Sequence, residues 1–341
     1  MLAPTKIVTI VAANESLKTE LLAFGDALVA SNWWKAAGKD YGLSTAAHVR
    51  ITSTESITAN PSTNAMDAFI GRAIAGRAEA ADDGNTMYML YLPAGVVDID
   101  PTQGVNTGCQ YHGGYHTLGT SNRVWGFGMR CPLQGTGLTE LQSLTIISSH
   151  EIIEAATDPD PGRGYTLGFL QSRSDDVWTS TSGETGDMCV STQITEGLYT
   201  YQRVWSNSAA AAGGDPCVPA LTTPYYNVST GQQWYSVAPG ATVTIPVTGW
   251  STARMTLDWV IDPQILKTTA SGSGFKATMS SATTVTVKGT TYSTINNGRT
   301  ATLSVVAPNQ SGVYAVINVY DLPRTSGGDP YHFYPVGVYT P

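Results

Sequence analysis

The stretch SSHEIIEAATDP, residues 148–159, gathers one histidine, two glutamates and an aspartate inside an otherwise apolar run. On a helix turning about 100° per residue, His150 and Glu154 fall one turn apart on one face. Glu151 sits beside that row, and Asp158 lies a further turn along. In H-E-x-x-H zinc enzymes two histidines bind the metal and the intervening glutamate is the general base. Here H-E-x-x-E keeps the spacing, and a carboxylate oxygen is a legitimate zinc ligand. The pattern is less specific than H-E-x-x-H, because carboxylates are common on solvated helix faces. Against that bland reading, Ile152, Ile153, Ala155 and Ala156 surround the charges with apolar side chains.

A zinc site needs a third ligand, often from a separate segment. Downstream, GETGDMC supplies Glu184 and Asp187 between glycines, on a loop tied down by Cys189. A set with two or three carboxylates is more anionic than the usual one, so calcium is the alternative ion. Glu151 paired with Glu184 also fits the two carboxylates of a glycosidase. His112 and His116 in YHGGYH share i, i+4 spacing, but the Gly-Gly between them argues against a helix. A turn histidine bonded to backbone is expected there, with His116 as an oxyanion donor at a cleft edge the functional alternative. His48 and His332 stand alone and read as structural. No G-x-S-x-G, P-loop or dinucleotide fingerprint is present, so serine hydrolase and nucleotide roles lack support.

The elements that must position these residues follow from hydrophobic periodicity. KIVTIVAA (6–13), AHVRITS and NTMYMLYLPAGV (85–96) read as strands, the last turning fully apolar as in a covered sheet. Between them Leu17, Leu21, Phe24 and Leu28, then Ala65, Phe69 and Ala73, recur at helical spacing. This β-α-β-α-β order predicts an α/β sheet layer. RVWGFGMR is a further short strand. Thr139-x-x-Gln142 is a capping box, and Leu141, Leu144, Ile147 and Ile152 give the helix carrying His150 a buried stripe that Pro159 ends. In SNWWKAAG one tryptophan is expected in the core and one at the surface.

From about residue 225 the text changes character. ATVTIPVTGW, RMTLDWVI, TTVTVKGTT, TATLSVVA and SGVYAVINVY are short β-branched runs separated by Gly, Asn or Ser. They describe a β-sandwich of immunoglobulin-like type, with Asp258-Trp259 and Tyr314 supplying core aromatics. AAAAGGDPCVPALTTP marks the boundary, giving domains at 1–222 and 223–341.

Of 341 residues only 13% are charged, about half the usual share, so solubility rests on Ser, Thr, Asn and Gly as in secreted proteins. A net charge of −8 without any Lys/Arg cluster makes nucleic acid and anionic membranes poor partners. No apolar run approaches the roughly 20 residues of a membrane span. Cys109, Cys131, Cys189 and Cys217 allow three pairings and form no CxxC. Their order suggests local bridges Cys109–Cys131 and Cys189–Cys217 and an oxidising compartment. The N-terminus carries no signal-peptide pattern, so secretion implies a leader already removed. A monomer is expected.

SSHEIIEAATDP, as H-E-x-x-E-x-x-T-D-P, followed by SGETGDMC, resembles the corresponding segments of the plant EXORDIUM (phosphate-induced) proteins and their bacterial relatives. GCQYHGGYHT, VWGFGMRCP and YQRVWSNSAAAAGGDPCV are similar to their cysteine-bearing segments, and the likeness spans roughly residues 5–220. The resemblance implies an extracellular protein with a zincin-type metallopeptidase domain, to which the C-terminal sandwich is an addition. Carried over residue by residue, His150, Glu154, Asp158, Glu184 and Asp187 match motif positions. The implied zinc ligands are His150, Glu154 and a carboxylate of the 184–187 loop, Glu184 or Asp187. Glu151 is then the catalytic base, and Asp158, at the helix end, caps or orients. Asp160 matches the third-ligand spacing of another zincin group, but Thr157 stands where that group needs glycine. The expected function is a secreted zinc metallo-endopeptidase acting on a protein or peptide substrate. The alternative is an extracellular cell-wall or surface-binding protein whose metal is structural.

Overall fold

A computed structural model describes the chain except residues 4, 44, 101–104, 107, 111, 132–136, 169, 171, 182, 191, 272–273 and 323–331. Tyr111, Pro132 and Ser182, within segments quoted above, lie outside the described residues. The chain is mostly β and divides into two compact units. The first comprises Met1–Thr166, Glu184–Ser208 and Pro216–Pro219; the second Leu167–Gly183, Ala209–Asp215 and Ala220–Pro341. The expected division at 222 differs chiefly in 167–183, whose Leu170 and Val177 pack with Val316 of the second unit. Two isolated apolar residues in a loop carry no local signal of that allegiance.

The first unit is built on a five-stranded sheet in the order β2-β1-β3-β5-β4. These strands are β1 (Thr5–Val11), β2 (Ala46–Thr52), β3 (Thr86–Tyr91), β4 (Gly114–Leu118) and β5 (Val124–Gly128). The first three and β5 run parallel, as the alternating strand–helix order predicts. Helices α1 (Lys18–Ala30), α2 (Asn32–Ala37) and α3 (Thr63–Ile74) fall between the first three strands. Helix α4 (Glu140–Thr157) carries the motif. Both halves of its capping box form: Gln142 N donates to Thr139 Oγ1 at 3.1 Å and Thr139 N donates to Gln142 Oε1 at 3.0 Å.

Each face of the sheet is covered. Ile7, Met87, Met89 and Tyr91 pack with Leu21, Phe24 and Leu28 of α1 and Leu144, Ile152 and Ile153 of α4. Val8, Ile10, Tyr88 and Leu90 pack with Met66, Phe69 and Ile70 of α3 on the other face. Burial on both faces accounts for the unbroken apolar run of β3.

Two local expectations need correction. YHGGYH is not a turn throughout: β4 begins at Gly114 and pairs antiparallel with β5, with His116 at its centre. The glycines permit a close approach that any side chain would block. A Cβ on Gly114 would stand 2.1 Å from Phe127 O, and one on Gly113 would stand 2.5 Å from Ile147 Cδ1 of α4. Nor does either tryptophan of SNWWK reach the surface. Trp33 and Trp34 are both fully buried, Trp33 stacking on Tyr201 and donating from Nε1 to Gln202 O. Those partners belong to a ribbon of β6 (Gln193–Glu196) and β7 (Tyr199–Gln202) that bonds to α4, Gln202 N donating to Ser149 Oγ at 2.9 Å.

The second unit is a two-sheet sandwich. One sheet orders β8 (Tyr226–Ser229), β10 (Thr242–Ser251), β15 (Thr300–Val306) and β12 (Lys276–Ser280). The other orders β9 (Trp234–Ser236), β17 (His332–Tyr339), β16 (Tyr314–Leu322), β11 (Trp259–Thr268), β14 (Thr290–Ile295) and β13 (Thr283–Val287). Ile245 and Leu303 from one face Trp259, Ile317 and Val336 from the other in a shared core. RMTLDWVI starts its strand only at Trp259, which then runs through Pro263 to Thr268. Proline is tolerated because β14 pairs with β11 only up to Ile261, leaving one side unpaired at Pro263.

The disulfides are Cys109–Cys131 and Cys189–Cys217, consistent with a secreted protein. No helix among the described residues is long and apolar enough to cross a membrane.

His48 is locked under α1, 2.7 Å from Asp26 Oδ1 and 2.9 Å from Thr9 Oγ1. A Cβ on Gly25 would fall 2.0 Å from its Nε2. Gly25→Ala is therefore expected to destabilise the first unit by roughly 1–3 kcal/mol, overpacking outweighing the gain in helix propensity. Urea unfolding of the variant measures it, and an unchanged midpoint would contradict the packing described.

Candidate metal centre

The motif side chains converge within the first unit from three segments: α4, strand β4 and the 184–189 loop. Glu154 is the junction. Its Oε1 accepts from Gly186 N at 3.0 Å and Asp187 N at 3.1 Å. Its Oε2 lies 3.0 Å from His150 Nε2 and 4.0 Å from His116 Nδ1. Only glycine fits at 186, since a Cβ there would stand 2.7 Å from His150 Nδ1 and 2.8 Å from Glu154 Oε1.

Asp187 opens a short 3-10 turn that ends at Cys189, which the disulfide to Cys217 ties down. Its Oδ1 comes 3.7 Å from His150 Nε2. Gln202 Nε2 reaches Gly186 O at 2.8 Å and His150 Nδ1 at 2.7 Å, joining the loop to the helix. Behind them, His116 Nε2 donates to Asp158 O at 2.9 Å and lies 3.5 Å from Glu184 Oε1. His116 Nδ1 lies 3.5 Å from Glu151 Oε2.

The Asp158 carboxylate is taken up by backbone N–H groups beyond the helix end. It accepts from Gly162 N at 2.8 Å and Arg163 N at 3.2 Å, capping the turn after the helix, as expected of a cap or orienter. Asp160 pairs with Arg163 at 3.0 Å. The two candidates for a third ligand separate: Asp187 stands with His150, and Glu184 stands with His116.

Four carboxylates and two imidazoles in a largely buried space perturb one another. Burial opposes charge on His116, but Glu151, Glu154 and Glu184 outweigh it and raise its pKa to about 9. At His150 burial opposes a second ring proton, as does the Gln202 amide nitrogen against Nδ1. Glu154, Glu151 and Asp187 favour that proton, and the net direction is upward. Burial and the charge of Glu154 push Glu184 up to about 8 and Asp187 up to about 7. Glu154 goes the other way: burial would raise its pKa, but the His150 charge holds it below the ordinary value. The four upward shifts, on His116, His150, Glu184 and Asp187, retain protons where negative charge exceeds positive, as expected of a cluster short of cationic charge.

Two triads have one donor atom per residue within 4.8 Å of the others: His150, Glu154 and Asp187, and His116, Glu154 and Glu184. Imidazole nitrogen with carboxylate oxygen is a donor set suited to zinc. The fit has a further mark, because Glu184 Oε1 is buried without a hydrogen-bond partner among the described residues. His116 is the member that sequence reasoning placed only at a cleft edge. Its signal was faint, a histidine two residues past a Gly-Gly pair in a cysteine-flanked segment.

No protein-family model matches this chain, and no curated protein matches it. Among solved structures, "Crystal structure of the S-layer protein SbsC domains 4 and 5" is similar over 35% of this chain at 16% identity, with a TM-score of 0.24. The match takes in 53% of that structure's chain, so this chain spans about half its length. So weak a likeness bears on neither the site nor an activity.

Glu154→Ala would strip the acceptor from two loop N–H groups and the anion from two imidazoles. Breaking a buried pair from one side typically costs about 3–5 kcal/mol. Glu154→Gln keeps a carbonyl oxygen for the loop and should lose clearly less. Denaturant unfolding of both variants in chelator is expected to rank wild type, Gln, then Ala. Equal losses would mean that the loop does not depend on Oε1.

Proposed function

We propose that this protein is a secreted zinc metallopeptidase, its cation held by His150, Glu154 and Asp187 with Glu151 as general base. The observation that carries the reading is the meeting of His150 Nε2 with Glu154 Oε2 at 3.0 Å and Asp187 Oδ1 at 3.7 Å. His150 and Asp187 keep side-chain exposures of 15% and 20%, against 2% for Glu154, so this triad is the solvent-facing one. A catalytic metal needs that access, since it keeps a coordination position for water or substrate. The parallel sheet with one antiparallel edge strand beside the H-E-x-x-E helix supports a zincin-like first unit, and the two-sheet second unit supports an immunoglobulin-like one. The likeness to the EXORDIUM proteins belongs to this same reading.

When bound, zinc supplies Lewis acidity to the carbonyl and to water. Glu151, buried beside His116, is the group to take the proton of the attacking water and return it to the leaving amine. A peptide substrate also suits strand β4. Met129 N donates to Gly113 O and Gly119 N to Arg123 O, a phase that turns the backbone groups of Gly114, His116 and Leu118 away from β5. An extended peptide pairing with that edge would pass beside His116.

The second reading is an extracellular cell-wall or surface-binding protein with a structural metal. The burial of Glu154 and His116 favours it, because structural sites are closed. Glu151→Gln separates the two. It is expected to keep its zinc content and thermal midpoint while losing casein hydrolysis by about 10²–10⁴-fold. Unchanged hydrolysis in the variant, or a zinc-loaded wild type that cleaves nothing, would leave the binding reading standing. Elemental analysis of protein purified without chelator tells zinc from calcium.

A further inference from the structure

We propose that the cluster binds two divalent cations, the second held by His116 and Glu184 and sharing Glu154 with the first. The proposal rests on the outer triad of His150, Glu154 and Asp187 and extends it inward.

The geometry comes first. His116, Glu154 and Glu184 each offer a donor atom within 4.8 Å of the others, and all three residues are buried. Glu154 Oε2 lies between two imidazoles, 3.0 Å from His150 Nε2 and 4.0 Å from His116 Nδ1. A carboxylate so placed is positioned to bridge two cations, and two-metal hydrolytic sites hold their ions about 3.5–4 Å apart.

The independent observation is Glu184. The residue is 8% exposed, and among the described residues its Oε1 has no hydrogen-bond partner. The facing His116 Nε2, at 3.5 Å, gives its hydrogen bond to Asp158 O instead. A desolvated carboxylate oxygen without a donor is unfavourable unless a cation answers it.

Charge balance points the same way. Glu151, Glu154, Glu184 and Asp187 form ion pairs only with His116 and His150 among the described residues, none with lysine or arginine. With both imidazoles neutral as ligands, four negative charges remain. One divalent cation offsets half of them, and two offset all four. Imidazole nitrogen in each triad favours a transition ion such as zinc over magnesium or calcium.

The test is equilibrium dialysis of chelator-stripped, full-length protein against zinc, with bound metal counted by mass spectrometry and folding checked by circular dichroism. Wild type is expected to hold two zinc ions per chain, and His150→Ala, Glu184→Gln and His116→Asn one each. One zinc in wild type, lost in His150→Ala and kept in Glu184→Gln, overturns the second site and leaves the peptidase reading intact. One zinc lost in Glu184→Gln and kept in His150→Ala overturns the outer site and the proposal together, as does no binding. Should the variants fail to fold, cobalt(II) titration of wild type decides. A second equivalent that weakens the paramagnetic resonance signal of the first shows two ions sharing a carboxylate. A signal that simply doubles, or stops at one equivalent, overturns the proposal.

Discussion

Glu154 is an almost fully buried anion with no lysine or arginine ion pair among the described residues, and the first unit is arranged around its two oxygens. Oε1 is occupied by two consecutive backbone N–H groups, which the 184–189 loop can present only by coming very close to α4. That approach dictates glycine at 186 and is reinforced by Gln202 and by the disulfide that starts at Cys189. Oε2 faces imidazoles brought by the helix itself and by β4. One carboxylate thereby fixes where a helix, an edge strand and a loop must meet.

Burying that carboxylate requires burying the helix that bears it. From Ser143 to Thr157 few positions of α4 reach solvent, so its polar side chains need partners close at hand. Ser148 Oγ donates to Leu144 O and Thr157 Oγ1 to Ile153 O, each one turn back. Thr145 Oγ1 and Ser149 Oγ donate to Gln142 O and Ile146 O and also accept from Thr200 N and Gln202 N, stitching β7 to the helix. Trp33 then holds Gln202 from the other side through its carbonyl. The chain of contacts from a core tryptophan through Gln202 to His150 gives the site a rigid back wall.

What could be read from the sequence was what is written locally. The parallel strands, the capped helix, the strand-rich C-terminal third and both disulfide pairings follow from periodicity, capping chemistry and cysteine order. What escaped depends on partners distant in sequence. Gly113 and Gly114 look like turn residues, yet their missing side chains admit β4 between Phe127 and Ile147. Adjacent tryptophans suggest one inside and one outside, but the β6–β7 ribbon covers the side that would otherwise be wet. Glu184 and Asp187 were indistinguishable as ligands because three residues of loop decide which imidazole each one faces.

The bonds that assemble the cluster largely spare the atoms that would ligate. Glu154 anchors the loop with Oε1 and turns Oε2 to the imidazoles. His150 is steadied through Nδ1 while Nε2 faces the carboxylates, and Asp187 receives its place from its backbone N–H. His116 is the exception, its Nε2 being held by Asp158 O while also facing Glu184. Architecture and charge are therefore met by different means. Hydrogen bonds of the fold itself hold the outer donors together, so a cation bound there would offset their repulsion rather than gather them. Metal binding in such a site is expected to cost little reorganisation on the solvent side and more at His116, where a proton and a hydrogen bond must first be given up.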